Sequence, residues 1–491
     1  MLHSTTSPMP SLLPIRRIVA PLISGVMALL SASPCIAQTP KPSPTPKAYQ
    51  GPTARWISST EKSPWQEKTP VPFKSESDGF PLEISLRLDH PAQQILGWGG
   101  CFNELGWKAM SILPEETRAG IMRDLFDPKT GLGFTICRMP LGSSDYADGY
   151  YSLDDSDGDF GMEHFSLKRD EGCLIPYIKA ARAVAPNLQV WASPWTPPEW
   201  MKRNKHYGSG GTNEFIQEPQ YLSAYAKYFA KAVTEFRKEG VPLMAVAVQN
   251  EPFYGPKYPS CRWTPEEMGR FIGDYLAPEF RANKIPAEIW FGTMNNGNPE
   301  VFSPVLDSPA GKFVDAVGLQ WAGKLAIPEL NRKYPSLKKV QTESECGNGS
   351  MDWNAAEKTF DLIRHYLSHG VSIYDYWNMV LDETGMSHWG WRQNALIAVN
   401  QKDASVKLTP EYWLMKHFSH FVTPGSVLIP CEGVFQDALA FTRPDGSLVV
   451  VAANMRAYDR MLNAKIGKKS IRANLPARSF NTFVMDKEKS S

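Results

Sequence analysis

From about residue 95 the chain alternates short apolar runs with longer stretches whose apolar residues recur at helical spacing. The apolar runs cover 95–102, 134–141, 188–195, 243–251, 288–294, 316–321, 339–343 and 371–378. Several are apolar on both faces and turn polar only where they end, as strands of a parallel sheet covered on two sides do. Between them, 220–239 carries Tyr221, Tyr225, Tyr228, Phe229 and Val233 on roughly one face, and 354–369 is a second helical stretch. Eight strands separated by helices predict an α/β fold, a (β/α)8 TIM barrel over 95–424, whose chemistry belongs at the carboxyl ends of the strands. A last helix over 411–421, after Thr409-Pro410, closes it.

Beyond the barrel the period changes to that of strands, at 438–442, 448–454 and 479–485, with Pro444-Asp445-Gly446-Ser447 as the hairpin turn between the first two. Before the barrel, 82–88 alternates as a half-exposed strand does. Neither end has enough strands for a stable pair of sheets. The expectation is therefore one accessory β-sandwich built from both chain ends, 49–94 and 425–491. Residues 1–37 read as a signal peptide: Arg16 and Arg17, an apolar run over 18–30 too short to span a bilayer, and Ala37 before a cleavage point at Gln38. Cys35 suggests a lipoprotein anchor, but Pro34 makes a poor site for one. Residues 38–48 are a proline-rich linker. This predicts a secreted or periplasmic protein with no integral membrane segment once the leader is removed.

Lysine and arginine number 52 against 51 aspartates and glutamates, a net charge of +1, so nothing asks for a nucleic-acid partner. Six cysteines follow the leader, with no zinc spacing and no disulfide framework. Cys137, inside a strand, reads as a buried free thiol. Neither a metal motif nor a phosphate-binding glycine loop is present, and no cofactor is expected. The 15 tryptophans matter more, because several lie beside the polar strand ends and a tryptophan face can carry a sugar ring.

Those ends hold the candidate chemistry. Val246-Ala247-Val248-Gln249-Asn250-Glu251-Pro252 turns from apolar to polar just before a proline, and Lys339-Val340-Gln341-Thr342-Glu343 ends in the same way. Two glutamates at two strand ends form a pair able to straddle a glycosidic bond, whereas either alone could be a structural ion-pair partner. The first strand ends in Gly97-Trp98-Gly99-Gly100, glycines for tight backbone beside a cavity or for a barrel-bottom turn. Arg138, within the second strand, suits either a structural ion pair or the holding of a neighbouring carboxylate in its ionised form. Asp145 accepts from sugar hydroxyls or caps its turn. Trp195 reads as a sugar contact and Trp191 as core. Gln320 and Trp321 end the sixth strand, Trp377 and Asn378 the eighth, and Trp389, Trp391 and Asn394 follow in the next loop.

Taken in order, GWGGCFNE, RMPLGSSD, ASPWTPPEWMK, VQNEP, QTESECG and YWNMVL resemble glycoside hydrolase family 30, the family of the lysosomal glucosylceramidase and of microbial β-1,6-glucanases, from about Gly97 to the C-terminus. The resemblance implies a barrel with a β-sandwich from both chain ends. It implies Glu251 as acid/base and Glu343 as nucleophile, with Arg138, Asp145, Trp195, Trp377 and Asn394 in binding or supporting positions. Glu345 is a second candidate nucleophile, but the β run leads directly to Glu343. Where the glucosylceramidase has a tyrosine after the sixth-strand tryptophan, this chain has Ala322, so lipid-glycoside specificity is not implied.

The expected activity is retaining hydrolysis of a β-glucoside or β-glucan by double displacement, with Asn250 on the sugar 2-hydroxyl. Retention requires carboxyls about 5–5.5 Å apart. A β-xylanase, β-xylosidase or β-fucosidase would use the same machinery. A non-catalytic carbohydrate-binding barrel would keep the tryptophans without needing both glutamates.

Overall fold

The computed structural model describes residues 52–75, 81–211, 214–343 and 345–487. The leader and linker expected over 1–48 lie outside them. Eight parallel strands close into a barrel in sequence order. They are β1 Gly97–Cys101, β2 Ile136–Pro140, β3 Gln189–Ser193, β4 Leu243–Ala247, β5 Glu288–Met294, β6 Ala316–Gln320, β7 Lys338–Glu343 and β8 Ile373–Asn378. The hydropathy pattern placed all eight. It overran the ends of most, because extended chain continues past the last ladder bond. Beyond β4, for example, Asn250 N–H donates to the Pro194 carbonyl at 2.8 Å and Glu251 N–H to the Thr293 carbonyl at 3.1 Å.

The floor of the barrel is apolar. Ile136, Trp191, Ala245, Trp290, Val340 and Ile373 fill it, with the Trp191 and Trp290 rings 4.9 Å apart. The glycines of β1 lie within the strand and form no turn. A Cβ on Gly99 would fall 1.5 Å from the Ile136 carbonyl oxygen and 2.7 Å from Asp375 Oδ1, so only glycine lets β1 approach β2 and the interior so closely. The helices Pro219–Lys238 and Trp353–Ser368 pack their apolar faces outside the barrel, within one residue of their predicted limits.

Of the three further sheets among the described residues, a small one joins Val380–Asp382, Ile397–Val399 and Val406–Leu408, and the other two make the accessory sandwich. One runs Val427–Ile429, Ala438–Thr442, Leu448–Asn454, Ser479–Met485, Thr53–Thr60, Ser63–Pro72. The other runs Cys431–Gly433, Ile84–Leu86, Arg460–Ile466, Lys469–Leu475, Lys74–Ser75. Both chain ends therefore contribute strands to each sheet, and Ala54, Ile84, Val450, Leu462, Ile471 and Phe483 share one core. The hairpin of Thr53–Thr60 with Ser63–Pro72 carries no turn signature at Glu61-Lys62. Its second strand holds three prolines, tolerated because it is the edge of the sheet. Cys137 is a buried free thiol, and the described cysteines form no disulfide. Among the described residues no helix is long and apolar enough to cross a membrane.

Candidate active site

Above the apolar floor the barrel interior turns polar, with Asp375 accepting from Trp191 Nε1–H at 2.7 Å and Arg138 at the centre of the layer. Arg138 points inward from β2 and is fully buried. Its Nη1 donates to Glu343 Oε2 at 3.0 Å and to the Thr342 carbonyl at 3.1 Å. Nη2 donates to Asn250 Oδ1 at 2.7 Å and to Ser193 Oγ at 2.9 Å, and Nε reaches the same hydroxyl at 3.1 Å. All five N–H bonds of the fork have an acceptor. The guanidinium lies 4.4 Å from the Trp195 ring centre, 5.1 Å from Trp191 and 5.2 Å from Trp377, so aromatic faces cover what the hydrogen bonds leave open.

A cavity of about 430 Å³ opens above this layer at the carboxyl ends of the strands. Asp145, Trp195, Asn250, Glu251, Trp321, Glu343 and Trp391 line it, as do Tyr254, Tyr258, Asn295 and Gln393. Arg138, Gln320 and Trp377 do not line it. Gln320 Nε2 donates to Glu343 Oε2 and to Asn250 Oδ1, both at 3.2 Å, and Trp377 packs 5.4 Å from Trp195. Asn394 is not brought to the cavity at all. Its Oδ1 accepts from the amides of Gly349 and Met351, and its Nδ2 donates to Glu411, so it ties the loop after β7 to the last barrel helix. Glu345 is also turned away, paired with Lys324 and Lys358.

The backbone is strained at two of the lining positions. Glu251 has φ 47° and Trp321 φ 46°, left-handed values that cost a residue with a Cβ about 1–2 kcal/mol. The turn at Trp321 lets its Nε1–H donate to Glu343 Oε1 at 3.0 Å. Asn250 Oδ1 accepts from Arg138, Gln320 and the Thr293 hydroxyl. That fixes the orientation of the amide and leaves its N–H bonds as the group free to face a ligand.

Three carboxyls, Asp145, Glu251 and Glu343, thus line one cavity, and one guanidinium lies beneath it. Burial, then the charge of Glu343, pushes the Glu251 carboxyl up to about 8, with Gln320 and Arg138 pulling the other way. Burial raises Glu343 too, but the Arg138 charge and the hydrogen bonds from Trp321, Arg138 and Gln320 all oppose it. Burial and the charges of Glu343 and Glu251 hold Asp145 well above the usual carboxylate range. Glu343 stays raised on balance, but it is the carboxyl of the set whose ionised form Arg138, Trp321 and Gln320 support, whereas Glu251, raised to about 8, keeps a proton near neutrality. Asp145 Oδ1 has no hydrogen-bond partner among the described residues. The same residues include no group of three side chains able to hold a metal ion.

Sequence reasoning missed Tyr254, Tyr258, Asn295 and Gln393. Asn295 directly follows β5, so the polar-strand-end rule that found Glu251 would have found it. The two tyrosines are marked by their position in the loop after Glu251, and Gln393 stands between two residues that were chosen.

Residues 95–422 match the Glycosyl hydrolase family 30 TIM-barrel domain, and residues 425–483 match the Glycosyl hydrolase family 30 beta sandwich domain. The putative glucosylceramidase 3 of Caenorhabditis elegans is 29% identical over 442 residues, covering 84% of each chain. An endo-1,6-beta-D-glucanase of Trichoderma harzianum is 25% identical over 447 residues, covering 84% of this chain and 89% of its own. Among solved structures, SrfJ from Salmonella typhimurium superimposes with a TM-score of 0.83 at 25% identity, covering 89% of this chain and all of that one.

If Arg138 compensates a buried carboxylate, its removal is costly only while the carboxylate is there. Arg138→Met is expected to destabilise the protein by about 3–5 kcal/mol at pH 7, read from the shift in unfolding midpoint. In a Glu343→Gln background the same substitution is expected to cost at least about 1.5 kcal/mol less. Equal costs in the two backgrounds would show that the pair is not coupled.

Proposed function

Since the chain belongs to glycosyl hydrolase family 30 and is a glycoside hydrolase, we propose that it cleaves β-glucosidic bonds with retention, by double displacement on Glu343 and Glu251. The observation that carries this reading is the split between the two glutamates: one cavity holds a carboxylate pinned by Arg138 and a second carboxyl raised to about 8. One ionised and one protonated carboxyl are what a two-carboxyl glycosidase requires at once, and family membership is what favours Glu343 as a nucleophile over a base that activates water. β-Glucosidic substrates are supported by the names of the relatives, a glucosylceramidase and an endo-1,6-β-D-glucanase.

In the first step Glu343 attacks the anomeric carbon and the bond to the leaving oxygen breaks. Glu251 passes its proton to that oxygen, giving a glycosyl ester on Glu343. In the second step Glu251, now a carboxylate, takes a proton from water as the water oxygen attacks the same carbon, and Glu343 departs as a carboxylate. Arg138, Trp321 and Gln320 stabilise that carboxylate at both ends of the cycle. As negative charge leaves Glu343 in the ester, Glu251 loses part of what raised its pKa, which suits its change from acid to base. Asn250 offers its free amide N–H to the sugar 2-hydroxyl, a contact that strengthens as the ring becomes oxocarbenium-like. Asp145, which also lines the cavity, is the further carboxyl able to meet a ring hydroxyl.

Two measurements test this. Glu343→Ala is expected to lose activity on all glycosides, and azide to restore turnover with an inverted glucosyl azide as product. Glu251→Ala is expected to lose on the order of 10²–10⁴-fold on poor leaving groups and far less on a dinitrophenyl glucoside, with azide giving the retained product. The same azide stereochemistry from both variants would contradict the assignment. The acid must hold its proton to work, so kcat/KM is expected to fall as pH rises through about 8, the value to which Glu251 is raised. It falls on the acid side as Glu343 is protonated. A rate unchanged up to pH 9.5 would contradict Glu251 as the acid.

A further inference from the structure

The loop that follows Glu251 forms one wall of an aromatic rim that the two-step mechanism does not use. Tyr254 N–H donates to the Glu251 carbonyl at 3.0 Å, and Tyr254 is 51% exposed. Tyr258 faces Trp391 with ring centres 4.7 Å apart. Farther out, Tyr150 packs 4.5 Å from Trp389 and stacks on Tyr207 at 5.4 Å, while 37% of it stays exposed. The Tyr150 hydroxyl donates to the Lys257 carbonyl at 2.7 Å, which joins this outer cluster to the loop carrying Tyr254 and Tyr258.

We propose that this rim is a binding site for a further pyranose on the leaving-group side, so that the leaving group is itself a saccharide. The inference rests on the acid role given to Glu251 above. The acid meets the glycosidic oxygen, so whatever lies along its own loop lies beside the leaving group. Partly exposed aromatic faces suit the C–H faces of a pyranose, each ring offering a flat apolar surface with polar edges. The rim is also polar around those faces, with His206 and the Lys257 carbonyl beside Tyr150 and His388 beside Trp389, where an acyl chain would need a continuous aliphatic surface.

The site is built in advance. Lys202 is fully buried, and its Nζ donates to the carbonyls of Tyr207 at 3.0 Å, Gly208 at 2.9 Å and Ser260 at 2.7 Å. Ser209 N–H donates to the Pro256 carbonyl at 2.9 Å and Ser260 N–H to the Tyr207 carbonyl at 3.0 Å. The loops after β3 and β4 are thus fastened to each other, and ordering them on binding costs little.

The test compares β-1,3-, β-1,4- and β-1,6-linked glucotrioses with β-glucosyl fluoride, whose leaving group has no ring to stack. In Tyr150→Ala and Tyr254→Ala, the ratio of kcat/KM on the best triose to that on the fluoride is expected to fall about tenfold. In Tyr150→Phe, which keeps the ring and loses the bond to Lys257, the ratio is expected to stay within about twofold of the wild type. Equal losses on both substrates, no change in the ratio, or Tyr150→Phe behaving as Tyr150→Ala would overturn the site. So would a wild-type enzyme that hydrolyses the fluoride and none of the trioses. A wild-type protein that cleaves no β-glucoside, the fluoride included, overturns the β-glucosidic reading above and this inference with it.

Discussion

The ion pair between Arg138 and Glu343 is the constraint on which the site depends. A guanidinium inside a barrel loses its water, and a few kcal/mol are at stake unless each N–H finds an acceptor. Here the acceptors are Glu343, Asn250, Ser193 and the Thr342 carbonyl, drawn from β3, β7 and the chain just beyond β4. Meeting the needs of one arginine therefore fixes the positions of one glutamate and of the residue next to the other. It also biases their charges. Burial raises all three carboxyls, and the one in contact with the guanidinium has the most support for ionising. The proposed acid and the proposed nucleophile are told apart by a contact on one of them, although both stand at strand ends and both are buried.

Strain completes the arrangement. Glu251 and Trp321 hold left-handed backbone beyond β4 and β6, on either side of β5, and both line the cavity. The turns are held by the surrounding ladder. Thr293 at the end of β5 accepts from Glu251 N–H and donates to Asn250 Oδ1, and the floor of tryptophans and aliphatics below leaves little room for relaxation. The sandwich adds no residue to the cavity, and its sheets close on their own core.

The barrel and its principal carboxyls were legible because buried parallel strands write themselves as apolar runs, and a polar residue at the end of such a run has few reasons to be there other than the cavity. Glu251, Glu343, Asn250 and Trp321 were all found by that reasoning. Asn394 was not separable by it. It follows a strand-end motif in sequence, yet its hydrogen bonds go to a loop and a helix. The tyrosines at 254 and 258 lay in a loop with no period, and only a fold brings Trp391 beside them. In the sandwich, Thr53–Thr60 and Ser63–Pro72 fall within the segment expected to supply strands, but their limits were not placed, because their turn lacks glycine and asparagine and prolines on an edge strand look like breaks. What the sequence conceals is long-range pairing: which loop meets which, and which polar residue supports and which one faces the substrate.

The central claim is that Glu343 becomes covalently bound to sugar. A 2-deoxy-2-fluoroglucoside with a dinitrophenolate leaving group slows both steps, but the second more than the first, so the intermediate accumulates. Intact mass measurement followed by fragmentation of the labelled peptide should show one fluoroglucosyl group per protein, on Glu343. A label on Glu345 or Glu251, or steady turnover of ordinary β-glucosides with no adduct formed, would contradict the account.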